Sequence, residues 1–195
     1  MVRANNEPGN PDGPQTVRLR LRALKPADKP LLTAGFERLS HNSRRSRYFR
    51  PKNQLTEDDL RQLTEFDGSQ HFALGAFECL EDGAETAIIG VARYFRLTQS
   101  PHTAELSVAV IDDRQGRGVG RLLVRRLLEE ALNRGVTHVI CHVLADNDRM
   151  LKLTDAVFGK TVLDRKGEIV VGKFSVHHSL GERKPNQDPQ RGVLF

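Results

Sequence analysis

Tryptophan is absent, and cysteine, methionine and tyrosine occur twice each in 195 residues. No run of about eighteen apolar residues is present, so nothing reads as a helix spanning a membrane. The first residues, MVRANNEPGNPDGPQTV, lack an apolar centre and do not resemble a secretory signal. The cysteines, Cys79 and Cys141, are far apart and form no C-x-x-C pair. That excludes a disulfide scaffold and a zinc ribbon, and suggests a reducing, cytoplasmic setting. The formal net charge of +5 permits an acidic ligand without requiring one.

Residues 1–16 and 179–195 are rich in Asn, Pro and Gly or in charge, with little to bury. They read as tails. Residues 17–178 are long enough for one domain. TVRLRLRAL alternates as a half-buried strand, and KPADKPLLTAGFERLS has helical spacing. LTEDDLRQLTEF begins with Thr56 and Asp59 three residues apart, a capping-box start. HFALGAFECL and TAIIGVARYFRL read as strands joined at Glu81-Asp82-Gly83. TAELSVAVI is a further strand. It is followed by a glycine loop and a helix with Leu123, Leu127, Leu128, Ala131 and Leu132 on one stripe, ended by Gly135. VTHVICHVLAD has almost no polar face and reads as a central strand. A short helix, NDRMLKLTDAVF, and a terminal hairpin turning at 164–167 complete the domain. This order predicts a mixed α/β fold with a largely antiparallel sheet, not a doubly wound one.

The informative stretch is DDRQGRGVGRLLVRRLLEEAL. Gln115-Gly116-Arg117-Gly118-Val119-Gly120-Arg121 joins a strand to a helix. Backbone N–H groups and the helix dipole converge there, and glycines allow an anion to approach closely. A Walker A loop would need Lys-Ser or Lys-Thr, which is missing. A dinucleotide fingerprint would need glycine at position 121, which is arginine. The pattern that fits is Q-x-x-G-x-G.

With that loop and this element order, residues 17–178 resemble the GNAT superfamily of acetyl-CoA-dependent N-acyltransferases. AELSVAVIDDRQGRGVG and LADNDRMLKL are similar to stretches of bacterial protein lysine acetyltransferases, as are GFERLSHNSRRSRYF and LTEDDLRQLTEFD. The resemblance implies acetyl-CoA as co-substrate and no metal. It implies Glu105 as general base, pantetheine on Val108 and Val110, pyrophosphate on residues 115–121, and a coenzyme contact at Asn147. A splay between strands 103–111 and 136–145 should open the pantetheine slot. The family often has a tyrosine acid where this chain has Thr154, and its L-G-F ending is replaced by Val157-Phe158-Gly159. No protein acid is therefore assigned.

Glu105 also follows from chemistry. It alternates away from Leu106, Val108 and Val110, on the strand that feeds the anion loop. An amine of pKa ~10.4 is about 0.1% neutral near pH 7.5, a cost of roughly 4 kcal/mol. A placed carboxylate can take that proton. His71 and His102 are rival bases. Cys141 reads as a core residue. His138 and His142 share a strand face but sit too far apart to chelate one metal. SRRSRYFRPK interleaves five basic residues with Tyr48 and Phe49. It reads as a solvated connection between two helices, with acceptor or coenzyme contact, or nucleic-acid stacking, as alternatives. Glu57, Asp58, Asp59, Glu65 and Asp67 are scattered around their helix, with only Asp58 and Glu65 two turns apart. That favours an open rim for a protein lysine over a closed pocket for a small amine such as an aminoglycoside, polyamine or amino acid. A non-catalytic acyl-CoA sensor and a nucleic-acid-binding module are readings from other classes. Removing residues 1–14 should leave the melting temperature nearly unchanged. A large drop in a thermal melt would show that the segment docks.

Overall fold

The computed structural model describes residues 18–159 and 163–180. Residues 1–16, and all of the expected C-terminal tail except Ser179 and Leu180, lie outside them. In chain order the elements are β1 (Arg18–Ala23), α1 (Lys29–Glu37), α2 (His41–Tyr48), α3 (Glu57–Thr64), β2 (His71–Cys79), β3 (Glu85–Leu97) and β4 (Ser100–Val110). They continue with α4 (Val119–Asn133), β5 (His138–Leu144), α5 (Asp148–Phe158), β6 (Asp164–Lys166), β7 (Ile169–Ser175) and α6 (Val176–Leu180). One seven-stranded sheet runs in the order β1-β2-β3-β4-β5-β7-β6. Every neighbouring pair is antiparallel except β4 with β5. This is the expected mixed, mostly antiparallel α/β architecture.

Helices cover both faces. The stripe on α4 buries Leu123, Leu127 and Leu128 completely against Tyr94, Ala104, Leu106 and Val139. The opposite face carries a smaller core, with Leu32 of α1 and Leu60 and Leu63 of α3 packed on Ala73, Phe77 and Ile88. The Thr56 capping box forms as its spacing predicts: Thr56 Oγ1 accepts from Asp59 N and Asp59 Oδ2 accepts from Thr56 N. Gly135, in the left-handed region at φ +83°, follows α4.

Two readings are corrected. Of residues 43–52, expected to form a connection, 43–48 lie in the helix α2. Its sequence hides this, because HNSRRSRY buries no side chain. Its start is organised by capping and tertiary bonds. Ser40 Oγ accepts from Ser43 N, and both serines donate to Asp112 beyond β4. Phe49 ends the helix at φ +57°. The terminal hairpin turns at Gly167-Glu168, later than expected, and Asp164–Lys166 are its first strand. Gly167 takes the positive φ of +64° that fixes the turn.

One charged cluster fastens β1 to β3. The Arg22 guanidinium donates two bonds of 2.7 and 2.8 Å to Asp28 and also meets Glu85. Asp28 is 2% exposed. Burial raises its pKa, but the bonds from Arg22 and the Lys25 backbone outweigh this and hold it below its usual value. Its folded pKa is therefore depressed, so its contribution persists above the unfolded value near 3.9 and fades as pH falls below it. Asp28→Ala should destabilise the domain by about 3 kcal/mol at pH 7, because it strands part of a buried charge. Urea unfolding at pH 7 measures the loss, and a change below about 0.5 kcal/mol would contradict this account.

Candidate functional site

The parallel pair β4–β5 holds for only four positions, from Thr103 opposite His138 to Leu106 opposite Cys141. Beyond them β4 continues to Val110 and β5 to Leu144 without pairing to each other. β4 stays bonded to β3 throughout this stretch, with Val108 opposite Ala92 and Val110 opposite Gly90. Its other edge is open, so backbone polar groups there are available to a ligand. A cavity of about 840 Å³ occupies the gap. It runs from Glu105 and Phe95, past Val108 and Val110, to Gly118 and Arg121 at the start of α4. That volume suits a cofactor-sized molecule.

The loop at the far end has the conformation that its glycines permit. Gly116 and Gly118 lie at φ +74° and +83°, where other residues are strained, and a Cβ on either would meet nothing within 4 Å. Both glycines line the cavity. Gly120 differs: a Cβ there would press on Leu153 of α5 at 3.3 Å, so its smallness also serves helix packing. Val119 is buried and offers only its backbone. Arg117 and Arg121 are exposed cations without an acid partner among the described residues. The side chain of Gln115 is a brace. Its Nε2 donates to Val110 O at 2.8 Å and Ser43 Oγ at 3.2 Å, while its Oε1 accepts from Arg149. Asn147 caps α5, accepting from Met150 N at 3.1 Å, and lines the cavity.

At the other end, Glu105 is about half exposed and its Oε1 lies 3.5 Å from His142 Nδ1. Sequence reasoning missed His142, treating it only as half of a spaced pair with His138. The parallel register explains its place: Ile140 is opposite Glu105, and His142 is two residues further on the same face, where the strands part. The rival bases lie elsewhere. His102 Nδ1 bonds Gly135 O at 2.9 Å. His71 is buried against Phe95, ring to ring at 3.9 Å, and its pKa is pushed down to about 4 by burial and then by the Arg93 charge. Neither lines the cavity. Burial first, with Glu105 second, pushes the Cys141 thiol up to about 12, which makes it an inert core residue. Thr154 donates its hydroxyl to Met150 O at 2.9 Å and is buried.

Most of the basic stretch turns onto the protein. Arg44 donates to Glu37 O and Asn53 O, Arg45 pairs with Asp146 and Lys52 with Asp59. The acids of α3 are engaged as well. Glu57 and Glu65, rather than Asp58 and Glu65, align, and both meet Lys29. Among the described residues no group of three His, Cys, Asp or Glu could hold a metal ion, and no helix is long and apolar enough to cross a membrane.

The chain can now be set beside known proteins. It is 32% identical over 124 residues to the acetyltransferase Pat of Mycolicibacterium smegmatis, covering 64% of this chain and 36% of that protein. The chain thus spans little more than a third of that relative's length. It is 26% identical over 143 residues to the L-methionine sulfoximine/L-methionine sulfone acetyltransferase of Salmonella typhimurium, covering 73% of this chain and 70% of that one. Among solved structures, the GNAT domain of S. lividans PAT superposes with a TM-score of 0.72 at 25% identity, covering 82% of this chain and 94% of that domain. Residues 38–159, which hold the glycine loop, Glu105 and α5, match the family described as the acetyltransferase (GNAT) family. That match covers more than half of the chain, so this chain belongs to the acetyltransferase (GNAT) family, and the open β4–β5 edge leading to a glycine loop at a helix start lies within the matched residues.

Proposed function

We propose that this enzyme transfers the acetyl group of acetyl-CoA directly to a protein lysine ε-amine, with Glu105 as general base. The observation that carries the reading is the single cavity joining Glu105 to the anion loop along the open edge of β4. In this reading the N–H groups of residues 115–121 and the start of α4 hold the pyrophosphate, with Arg117 and Arg121 adding charge. The backbone at Val108 and Val110 bonds the pantetheine amides, and Asn147 borders the coenzyme. Glu105 removes a proton from the ammonium, through a water where the distance requires it. The neutral nitrogen attacks the thioester carbon, an N–C bond forms and the C–S bond breaks, and the nitrogen releases its second proton to solvent as the amide forms. The thiolate takes its proton from solvent, because Thr154 already donates within α5.

The similarity to Pat supports a protein acceptor. So does the pairing of most acids near the site: Asp146, on the cavity wall, is met by Arg45, and Glu57, Asp58 and Asp59 of α3 by Lys29, Arg61 and Lys52, which leaves Asp148 as the wall carboxylate without an ion pair among the described residues. The similarity to the methionine sulfoximine acetyltransferase favours a second reading, a small amino-acid amine. A bare acyl-CoA sensor needs no carboxylate at Glu105. A nucleic-acid module needs free cations in 43–52, several of which are paired internally. The two buried free cysteines fit a reducing, cytoplasmic compartment.

Gly118→Glu should abolish acetyl-CoA binding by placing bulk and negative charge at the anion site. Calorimetry reads this, and unchanged affinity in a folded variant would remove the loop from the account. Glu105→Gln should keep coenzyme affinity but lower turnover at pH 7 by ~10²-fold or more. The deficit should shrink as pH rises and more amine is neutral. Full activity at pH 7 would move the base to another group. In an acceptor screen with labelled acetyl-CoA, a lysine peptide should be labelled, and aminoglycosides and polyamines should be poor acceptors. A small amine used at about 10⁴ M⁻¹s⁻¹ or better, with no labelled protein in a lysate, would overturn the lysine assignment.

A further inference from the structure

Among the described residues, two arginines of the cavity wall, Arg47 and Arg93, form no ion pair. Arg93 stands on β3 opposite Ser107, two residues from Phe95, which is the partner of Glu105. Arg47 reaches the same cavity from the last turn of α2. Among the described residues neither has a hydrogen-bond or ion-pair partner, and the Nε of Arg93 is buried with none. Each lies over a ring instead: Arg93 over Phe95 at 4.7 Å and Arg47 over Tyr48 at 5.0 Å.

Charge around this pair is unbalanced. Burial lowers both guanidinium pKa values, that of Arg93 to about 10, with the charge of Arg47 as its next cause. Both remain cations at neutral pH. The carboxylates that act on them are Glu105 and Asp59. Glu105 faces His142 at 3.5 Å, and Asp59 is held by Lys52 at 2.7 Å and by Thr56. Two desolvated cations that repel each other are costly unless an anion completes them. The coenzyme pyrophosphate is too far along the cavity to be that anion. Arg93 sits level with Ser107, about 10 Å of strand before Val110, and the loop begins beyond that. Its register level is only about 7 Å of strand from that of Glu105.

We propose that Arg47 and Arg93 form an acceptor subsite for a carboxylate, so that the enzyme selects amines carrying a carboxylate close to the reacting nitrogen. The proposal rests on acetyl transfer in this cavity. The planar guanidinium fork matches a carboxylate in two-point bonding. Two kinds of acceptor present this chemistry: a lysine flanked by Asp or Glu in a peptide, and a free α-amino acid.

The test compares kcat/KM within two pairs of acceptors. One pair is acetyl-Ala-Glu-Lys-Glu-Ala-amide and its Gln-Lys-Gln counterpart, and the other is L-methionine sulfone and its carboxamide. Each is run with the wild type and with Arg47→Gln, Arg93→Gln and Arg93→Lys. The acidic member of at least one pair should be used about tenfold better or more, the usual worth of a charged hydrogen bond. The preference should collapse toward parity in both Gln variants and persist in part in Arg93→Lys. Which pair responds identifies the source of the carboxylate. The acetylated products are also titrated calorimetrically against the CoA complex, where the same selectivity should appear without turnover. Arg47→Gln, on a solvent-facing helix, decides the matter if the Arg93 variants do not fold. Equal values within both pairs, or a preference that survives both Gln variants, would overturn the subsite and leave acetyl transfer standing. A preference for succinyl-CoA over acetyl-CoA that vanishes in Arg93→Gln would also overturn it, by giving the arginines to the acyl chain. Acid-selective product binding without turnover of any acceptor would instead count against acetyl transfer.

Discussion

The pairing of β4 with β5 ends after four residues, and the site depends on that ending. Among the described residues these are the only parallel neighbours in the sheet. Each strand is anchored on its outer side, β4 by β3 and β5 by β7, so both keep their shape when they part. A sheet that parts exposes unpaired backbone groups, which is normally a liability. Here the liability is contained in a cavity closed at one end by α4 and α5. The core beneath α4 supplies the rigidity, because its leucine stripe is completely buried where the two strands are still joined.

Charge is distributed along the cavity in a way that suits two reactants. Its loop end combines exposed Arg117 and Arg121 with the positive end of α4. Its other end holds the carboxylate of Glu105 beside His142, with Arg47 and Arg93, which form no ion pair among the described residues, on the same cavity wall. A phosphate-bearing donor and an amine acceptor would therefore enter different electrostatic surroundings. The bonds from Ser40 and Ser43 to Asp112 connect these ends, because they tie α2, which carries Arg47, to the segment that leads into the glycine loop. Gln115 adds to the same tie through Ser43.

The legible parts of the sequence were those in which local pattern and long-range role agree. The turn of the glycine loop is legible in six residues, since positive φ at Gly116 and Gly118 is a property of the residues themselves, while the reading of it as an anion site needs the strand and helix around it. The α4 stripe and the Thr56 capping box are equally local. What escaped depends on distant partners. α2 has no apolar face, and its cap is fixed to an aspartate some seventy positions away. His142 meets Glu105 only because a parallel register sets Ile140 beside it, and periodicity carries no information on register between strands. Arg93 reads as one charged residue in an alternating strand, and its isolation appears only once the surrounding acids are seen to be engaged. Gly120 fits the motif, yet its contact with Leu153 belongs to helix packing.

The claim at the centre is that the open edge of β4 and the glycine loop form one ligand site. Amide hydrogen exchange, measured with and without CoA, tests it at the level of single backbone groups. The account predicts that exchange slows within residues 107–110 and 116–121 when CoA is added, while β1 and the outer face of α3 are unchanged. Slowing confined to other elements, or to the loop with no change along 107–110, would contradict it.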